Sequence, residues 1–158
     1  MNKLITTILL TSFSFAIQIP LYVDNNWEML QSKSVVIEWQ NYDGFPFCKA
    51  SKQLSAPMQE ITKLLEDKEN YYQIFDRIEY SKLLTPEIVH IKLDMPFPFS
   101  GRDYIVLYSQ NQIDDNFYYR FEATNQISIS VDKDYIRLIH AAGGWILRPI
   151  DEYTTELT

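Results

Sequence analysis

A proline-rich stretch between two apolar runs limits most strongly what this 158-residue chain can fold into. It reads Met95-Pro96-Phe97-Pro98-Phe99-Ser100-Gly101-Arg102-Asp103-Tyr104. Proline lacks a backbone donor and has a fixed φ, so neither Pro96 nor Pro98 suits a central β-ladder. We therefore predict that one strand ends before a rigid bend here and that another begins after it.

Runs of strand length, each ending at turn residues, fill the second half of the chain. They predict strands at 80–84, 88–95, 104–110, 117–123, 127–131, 135–141 and 145–150. In the first half, 35–40 and 45–54 flank Asn41-Tyr42-Asp43-Gly44 and predict a hairpin. Gly143-Gly144 reads as another hairpin turn, just before Trp145.

Helical signals are concentrated between the early hairpin and the later strands. Ser55 and Pro57 can start a helix that carries the apolar stripe Ile61, Leu64 and Leu65. We predict a second short helix at 70–77, and a third at 27–30 because Asp and Asn residues at 24–26 can cap its first turn. The chain is thus predicted to be an α+β domain with a curved antiparallel sheet over helices.

Composition and charge narrow the possible partners. The chain has 46% hydrophobic and 22% charged residues, which suits one globular domain, and its 15% aromatic content suits a dense core or a ligand cavity. The net charge of -7 and the lack of a basic cluster argue against nucleic acid and limit any membrane contact to a transient one. The one cysteine, Cys48, excludes an internal disulfide, and we expect it to pack as a small hydrophobe between Phe47 and Ala50.

The amino terminus has the pattern of an export signal. Lys3 provides positive charge, an uncharged run follows, and small residues end at Ala16, where cleavage is expected. Residues 1–16 are therefore predicted to be a signal peptide, and the protein is predicted to be periplasmic or secreted. Two alternatives stay open: an uncleaved anchor, since no charge occurs from Leu4 to Tyr22, and a buried helix.

An ordered set of short motifs resembles the START lipid-transfer domain of the helix-grip superfamily. After Trp27-Glu28 and Ala56-Pro57 come the aromatic-proline turn with Arg102-Asp103-Tyr104, then Gly143-Gly144-Trp145, and finally Thr154-Thr155-Glu156-Leu157-Thr158. The resemblance implies a START-like lipid-binding domain over 24–158. It also implies a domain that is incomplete at its carboxy terminus, because START domains continue with a further strand and a closing helix.

Alternation of apolar and polar residues marks two strand faces. Val89, Ile91 and Leu93 share one, and Phe117, Tyr119 and Phe121 share another. The residues alone favour an ordinary packed core. The resemblance implies instead a cavity for an acyl chain or a sterol, with a lining that comprises Val89, Ile91, Leu93, Tyr108, Phe117, Tyr119, Phe121, Ile136 and Leu138.

The resemblance assigns structural roles to Arg102, Asp103 and Trp145, and an arginine anchored by carboxylates is usually structural. Steroid-binding relatives carry an arginine where this chain has Tyr108, which argues against that type of site. If Ile136 and Leu138 face inward, alternation places Arg137 in solvent.

Catalytic signals are weak. His90 and His140, the only histidines, have no metal-ligand partners at suitable spacing, and no cofactor motif occurs. We therefore expect a non-enzymatic lipid-binding or lipid-transfer protein without metal or cofactor. The alternatives are a cyclase or hydrolase that uses the same cavity, with His140 beside a carboxylate, and an envelope module that holds a partner chain in an unclosed groove.

Overall fold

The computed structural model describes residues 26–42 and 44–158, which form ten strands, two short α-helices and one 3-10 turn. The predicted signal segment 1–16 lies outside the described residues. The strands are β1 (Glu28–Ser32), β2 (Val36–Tyr42), β3 (Phe45–Leu54), β4 (Ile78–Leu83), β5 (Ile88–Leu93), β6 (Gly101–Ile113), β7 (Asn116–Ala123), β8 (Tyr135–Arg137), β9 (Ala142–Asp151) and β10 (Thr154–Leu157). The helices are α1 (Met58–Glu66) and α2 (Tyr71–Ile74), with the 3-10 turn at Lys68–Asn70 between them.

The strands join into one curved sheet in the order β1-β2-β3-β10-β9-β7-β6-β5-β4. Neighbours along this path are antiparallel, and β8 pairs parallel to the first residues of β6. The last strand of the described chain therefore lies in the middle of the sheet. The predicted α+β class and the curved antiparallel sheet over helices are confirmed, and the sheet is not closed.

The early hairpin and the proline-rich bend are both confirmed. β2 pairs with β3 from Val36↔Ser51 to Tyr42↔Phe45, and Gly44 has φ +80°, a left-handed conformation that favours glycine. β5 ends at Leu93 and β6 begins at Gly101, so both prolines lie in the connection, where no ladder donor is required.

The predicted helix at 27–30 is wrong, because β1 occupies this segment. Glu28 lies opposite Trp39 of β2, and the Trp39 indole Nε1 donates to Glu28 Oε2 at 2.9 Å. Cross-strand pairing with β2 outweighs the capping preference of the residues before it, since a cap supplies only about 1 kcal/mol.

The second helix is shorter than predicted. Residues 70–77 were expected to be helical, but α2 ends at Ile74 and β4 begins at Ile78, which lies opposite Leu93 of β5. Residues 75–77 form the turn that leads from α2 into β4.

Residues 124–134 have no strand structure and cross the side of the sheet that faces away from the helices, so the strand predicted at 127–131 is wrong. Their backbone serves as a cover: the Ile129 carbonyl accepts from Arg137 Nη2 at 3.2 Å, and the Asp134 carbonyl accepts from Gly101 N at 3.0 Å. The strand predicted at 135–141 is confirmed only for β8, Tyr135–Arg137, because this short strand fits beside β6 ahead of the point where β7 joins it.

The hairpin turn predicted at Gly143-Gly144 is also wrong, because both glycines lie inside β9. Gly143 is opposite Phe121 and Gly144 is opposite Arg120. A Cβ atom at Gly144 would lie 2.5 Å from the Tyr119 carbonyl oxygen, and one at Gly143 would lie 2.5 Å from the Phe121 ring. The glycines are there for the close approach of β7 to β9 and not for a turn.

Candidate functional site

One face of the sheet, here called the inner face, packs against the helices. Cross-strand partners point to the same side, so the register assigns to this face Val89, Ile91 and Leu93 of β5, Arg102, Tyr104, Val106 and Tyr108 of β6, Phe117, Tyr119 and Phe121 of β7, and Gly143, Trp145 and Leu147 of β9. Alternation therefore identified the shared faces of β5 and β7 from sequence.

The helices bury the middle of the inner face in two clusters. In the first, Tyr71 of α2 packs with Val89, Ile91, Val106 and Tyr108. In the second, Ile61 and Leu65 of α1 pack with Tyr119 and Leu147. Phe75 touches both clusters and stacks on Trp145 with ring centroids 5.6 Å apart. Several of the residues predicted to line a cavity therefore lie in close-packed contact with helices.

The hydroxyl groups of two buried tyrosines bind to the last residues of α1. The Tyr71 hydroxyl donates to the Leu65 carbonyl at 2.5 Å, and the Tyr119 hydroxyl donates to Glu66 Oε1 at 3.4 Å. Burial raises the pKa of Tyr108 to about 12 and also raises the pKa of Tyr71. These phenols therefore stay protonated donors at ordinary pH.

A small pocket of about 310 Å³ opens beside Tyr108 and Tyr119. Its walls also include Lys68 and Glu87, and the Lys68 ammonium lies 5.4 Å from the centre of the Tyr108 ring. Of the predicted lining residues, these two tyrosines border this pocket. Lys68 was missed because nothing in the sequence distinguishes it from other surface lysines.

The inner face continues past the helices at the end near the proline-rich bend. Leu93, Arg102 and Ile136 lie side by side there, and Ile136 is 51% exposed. The Arg102 guanidinium donates to the Ser100 carbonyl at 2.6 Å and so binds the backbone of the bend. In the bend itself, Phe97 is 97% exposed and Phe99 is 61% exposed.

The opposite face of the sheet, here called the outer face, holds a buried polar network. Asp103 has no solvent exposure; its Oδ2 lies 2.8 Å from His90 Nε2, and its Oδ1 accepts from Arg137 Nε. The expectation that Arg137 faces solvent is wrong, because residues 124–134 cover this side. Asp103 does not pair with its neighbour Arg102, and it joins β5, β6 and β8 to the covering segment.

An opening of about 570 Å³ lies between β3 and β9. Cys48 lines it and is exposed, which corrects the expectation that it is buried between Phe47 and Ala50. Alternation puts Cys48 on the same side of β3 as Ala50. At Cys48, β2 pairs with one edge of β3, whereas the pairing of β10 with the other edge reaches only Lys52. Trp145 and His140 also line the opening.

Neither a protein-family model nor a curated protein matches this sequence. Solved structures do. The STAR-related lipid transfer protein of Xanthomonas axonopodis superposes with a TM-score of 0.71 at 22% identity, over 83% of this chain and 77% of that one. The chain has a START-like fold.

Two human structures agree with this START-like assignment. STARD10 gives a TM-score of 0.74 at 15% identity, over 85% of this chain and 59% of that one. Human StAR-related lipid transfer protein 5 gives a TM-score of 0.74 at 12% identity, over 85% of this chain and 70% of that one. The predicted resemblance is thereby confirmed for the fold. Helices long and apolar enough to cross a membrane do not occur in the described ranges of this START-like chain.

Proposed function

We propose that the protein binds one lipid or another small hydrophobic molecule on the inner face of its sheet and transfers it without chemical turnover. The START-like fold and the lipid-transfer proteins that share it support this proposal. The observation that carries it is the end of the inner face beyond the helices, where Arg102 lies between Leu93 and Ile136 and Ile136 is 51% exposed. The apolar side chains at this end can take up a hydrophobic molecule, since burying apolar surface yields about 25 cal/mol per Å².

A carboxylate at position 136 tests the proposal. Ile136→Asp is expected to weaken lipid binding about ten-fold or more, because a charge in contact with an acyl chain loses its hydration. Binding is measured with the full chain, by native mass spectrometry after purification without detergent and by titration with a fluorescent fatty acid.

The chain offers a matched control for this substitution. Ile150 is 47% exposed, nearly the same as Ile136, but lies on the outer face of β9, three residues past Leu147. Ile150→Asp should leave lipid affinity unchanged. Equal loss in both variants, or a wild-type protein that binds none of a panel of lipids, would refute the proposed site.

Transient membrane contact is proposed at the proline-rich bend. Phe97 and Phe99 project into solvent beside the open end of the inner face. Two aromatic rings on a rigid bend are suited to insert shallowly between lipid head groups. The net charge of -7 favours uncharged membranes over anionic ones.

We expect Phe97→Ser to reduce co-sedimentation with phosphatidylcholine vesicles several-fold, since an exposed phenylalanine contributes about 2 kcal/mol when it leaves water. Tyr153→Ser is the control, because Tyr153 is 66% exposed in the β9–β10 turn. A Phe97→Ser protein that sediments as well as the Tyr153→Ser protein would contradict a role for the bend.

We also propose export, on the basis of the amino-terminal pattern that ends at Ala16. Sequencing the amino terminus of the mature protein tests it. Retention of Met1 in a soluble cytoplasmic fraction would rule it out.

A further inference from the structure

Arg102 presents a guanidinium at the open end of the inner face, and among the described residues it has no carboxylate partner. Its hydrogen bonds within these ranges come from Nη1, which donates to the Ser100 carbonyl at 2.6 Å and to the Gly101 carbonyl at 3.4 Å. We propose that the other edge of the guanidinium, formed by Nε and Nη2, binds the carboxylate or phosphate of an acidic lipid. This inference rests on the proposed function and names the class of lipid.

The carboxylates nearest to Arg102 in the chain and in the register are engaged elsewhere. Asp103 follows it in β6, but alternation puts Asp103 on the outer face, inside the buried network. Asp94 follows the last residue of β5 and lies 3.9 Å from Arg77. Arg102 is half-buried, so contact with an anion would offset the hydration that its charge has lost.

The surroundings of Arg102 select an anion that carries an apolar chain. Leu93 of β5 and Ile136 of β8 are its partners in the register, so apolar side chains lie on both sides of it. The planar donors of a guanidinium match two oxygens of a carboxylate or a phosphate, and an alkyl chain next to that head group can cover the apolar side chains. A fatty acid or a phosphorylated lipid meets both conditions, whereas a free anion meets only the first.

The hydrogen bonds to the bend orient the guanidinium before a ligand arrives. The carbonyls that accept from Nη1 end a connection that contains Pro96 and Pro98, and proline restricts the backbone. A side chain that is already held in place loses less conformational entropy on binding. The contacts that brace the bend therefore also prepare Arg102 for a head group.

The overall charge of the protein cannot produce a preference for acidic ligands. The net charge is -7, which repels anions at a distance. Charges farther apart than about 8 Å are largely screened at physiological ionic strength, whereas a direct contact is not. A preference for an acidic lipid must therefore arise from a local cation, and Arg102 supplies one at the open end.

The test compares ligands that share an alkyl chain and differ in the head group. Decanoate and decyl phosphate carry the two acid groups, and decanol carries neither. Each displaces an uncharged fluorescent lipid from the purified full chain, at a pH well above the carboxyl pKa. We expect the acids to bind about ten-fold more tightly than decanol, since hydrogen bonds to charged groups are the stronger ones. Arg102→Gln should remove this preference and leave the affinity for decanol unchanged.

Two further variants and one competitor are the controls. Arg148→Gln makes the same change in net charge on the outer face, where the Arg148 side chain is 59% exposed, and should keep the full preference. Arg102→Lys keeps the charge but replaces the planar fork with an ammonium, and we expect it to keep only part of the preference. An excess of sodium acetate, compared with sodium chloride at the same ionic strength, should not abolish the preference, because acetate lacks the alkyl chain.

The outcomes separate this inference from the proposed function. A wild-type protein that binds decanol as tightly as the acids would overturn the inference and leave the lipid site standing. Equal losses for acids and decanol in Arg102→Gln would also overturn it, because Arg102 would then only brace the bend, and so would a preference that acetate abolishes. A wild-type protein that binds none of the ligands would refute the proposed function as well. If Arg102→Gln does not fold, Arg102→Lys decides by the same ratio of affinities.

Discussion

Replacing Asp103 with asparagine is expected to lower the unfolding free energy by about 3 kcal/mol. The carboxylate is fully buried, and it binds His90 Nε2 and Arg137 Nε on opposite sides. Asparagine keeps the shape but removes the charge, so the guanidinium of Arg137 remains largely covered without a counter-ion. The free energy is measured by urea unfolding followed by circular dichroism.

Asp94→Asn is the control for this experiment. The Asp94 side chain is exposed and lies 3.9 Å from Arg77, a surface pair that contributes at most about 1 kcal/mol. We expect Asp94→Asn to lower the unfolding free energy by less than about 0.5 kcal/mol. If Asp103→Asn were as mild as Asp94→Asn, the buried network would not be what holds residues 124–134 on the sheet.

The Asp103 network shows how much of a buried polar cluster the sequence can predict. The motif around Arg102-Asp103 indicated a structural role, but the partners of Asp103 were not identifiable. His90 and Arg137 are 13 and 34 residues away, and only the register of three strands brings them to one place. Arg137 was predicted to face solvent because alternation assigns a side and cannot show that residues 124–134, which lack strand structure, cover it.

Local sequence patterns predict which residues share the inner face, but not which of those residues the helices cover. Alternation grouped Phe117, Tyr119 and Phe121 correctly, because one buried face imposes a period of two along a strand. It could not show that the helices cover Tyr119 and leave Ile136 open, since that depends on where α1 and α2 end.

Tertiary pairing also overrode turn and cap preferences. Trp27 and Glu28 follow good capping residues, yet Glu28 pairs with Trp39. The sequence predicts a turn at Gly143-Gly144 because turns are where glycine is most often needed. In this chain the need arises from the approach of two backbones inside the sheet, a contact between residues far apart in sequence.

That interpretation of the glycines predicts a large effect of one methyl group. Gly144→Ala is expected to cost about 3 kcal/mol, because the new Cβ would lie 2.5 Å from the Tyr119 carbonyl oxygen, and a central strand can move away only by breaking ladder bonds. Urea unfolding of the full chain measures it.

Gly143→Ala separates a backbone clash from a side-chain clash. Its Cβ would also meet an atom at 2.5 Å, but that atom is at the tip of the Phe121 ring, which can turn aside. We expect Gly143→Ala to lower the unfolding free energy by about 1 kcal/mol. Because a turn would place both glycines away from β7, similar small costs for the two variants would argue for a hairpin turn and against a continuous β9. A cost for Gly144→Ala several times that for Gly143→Ala would confirm that the backbones of β7 and β9 meet at this point.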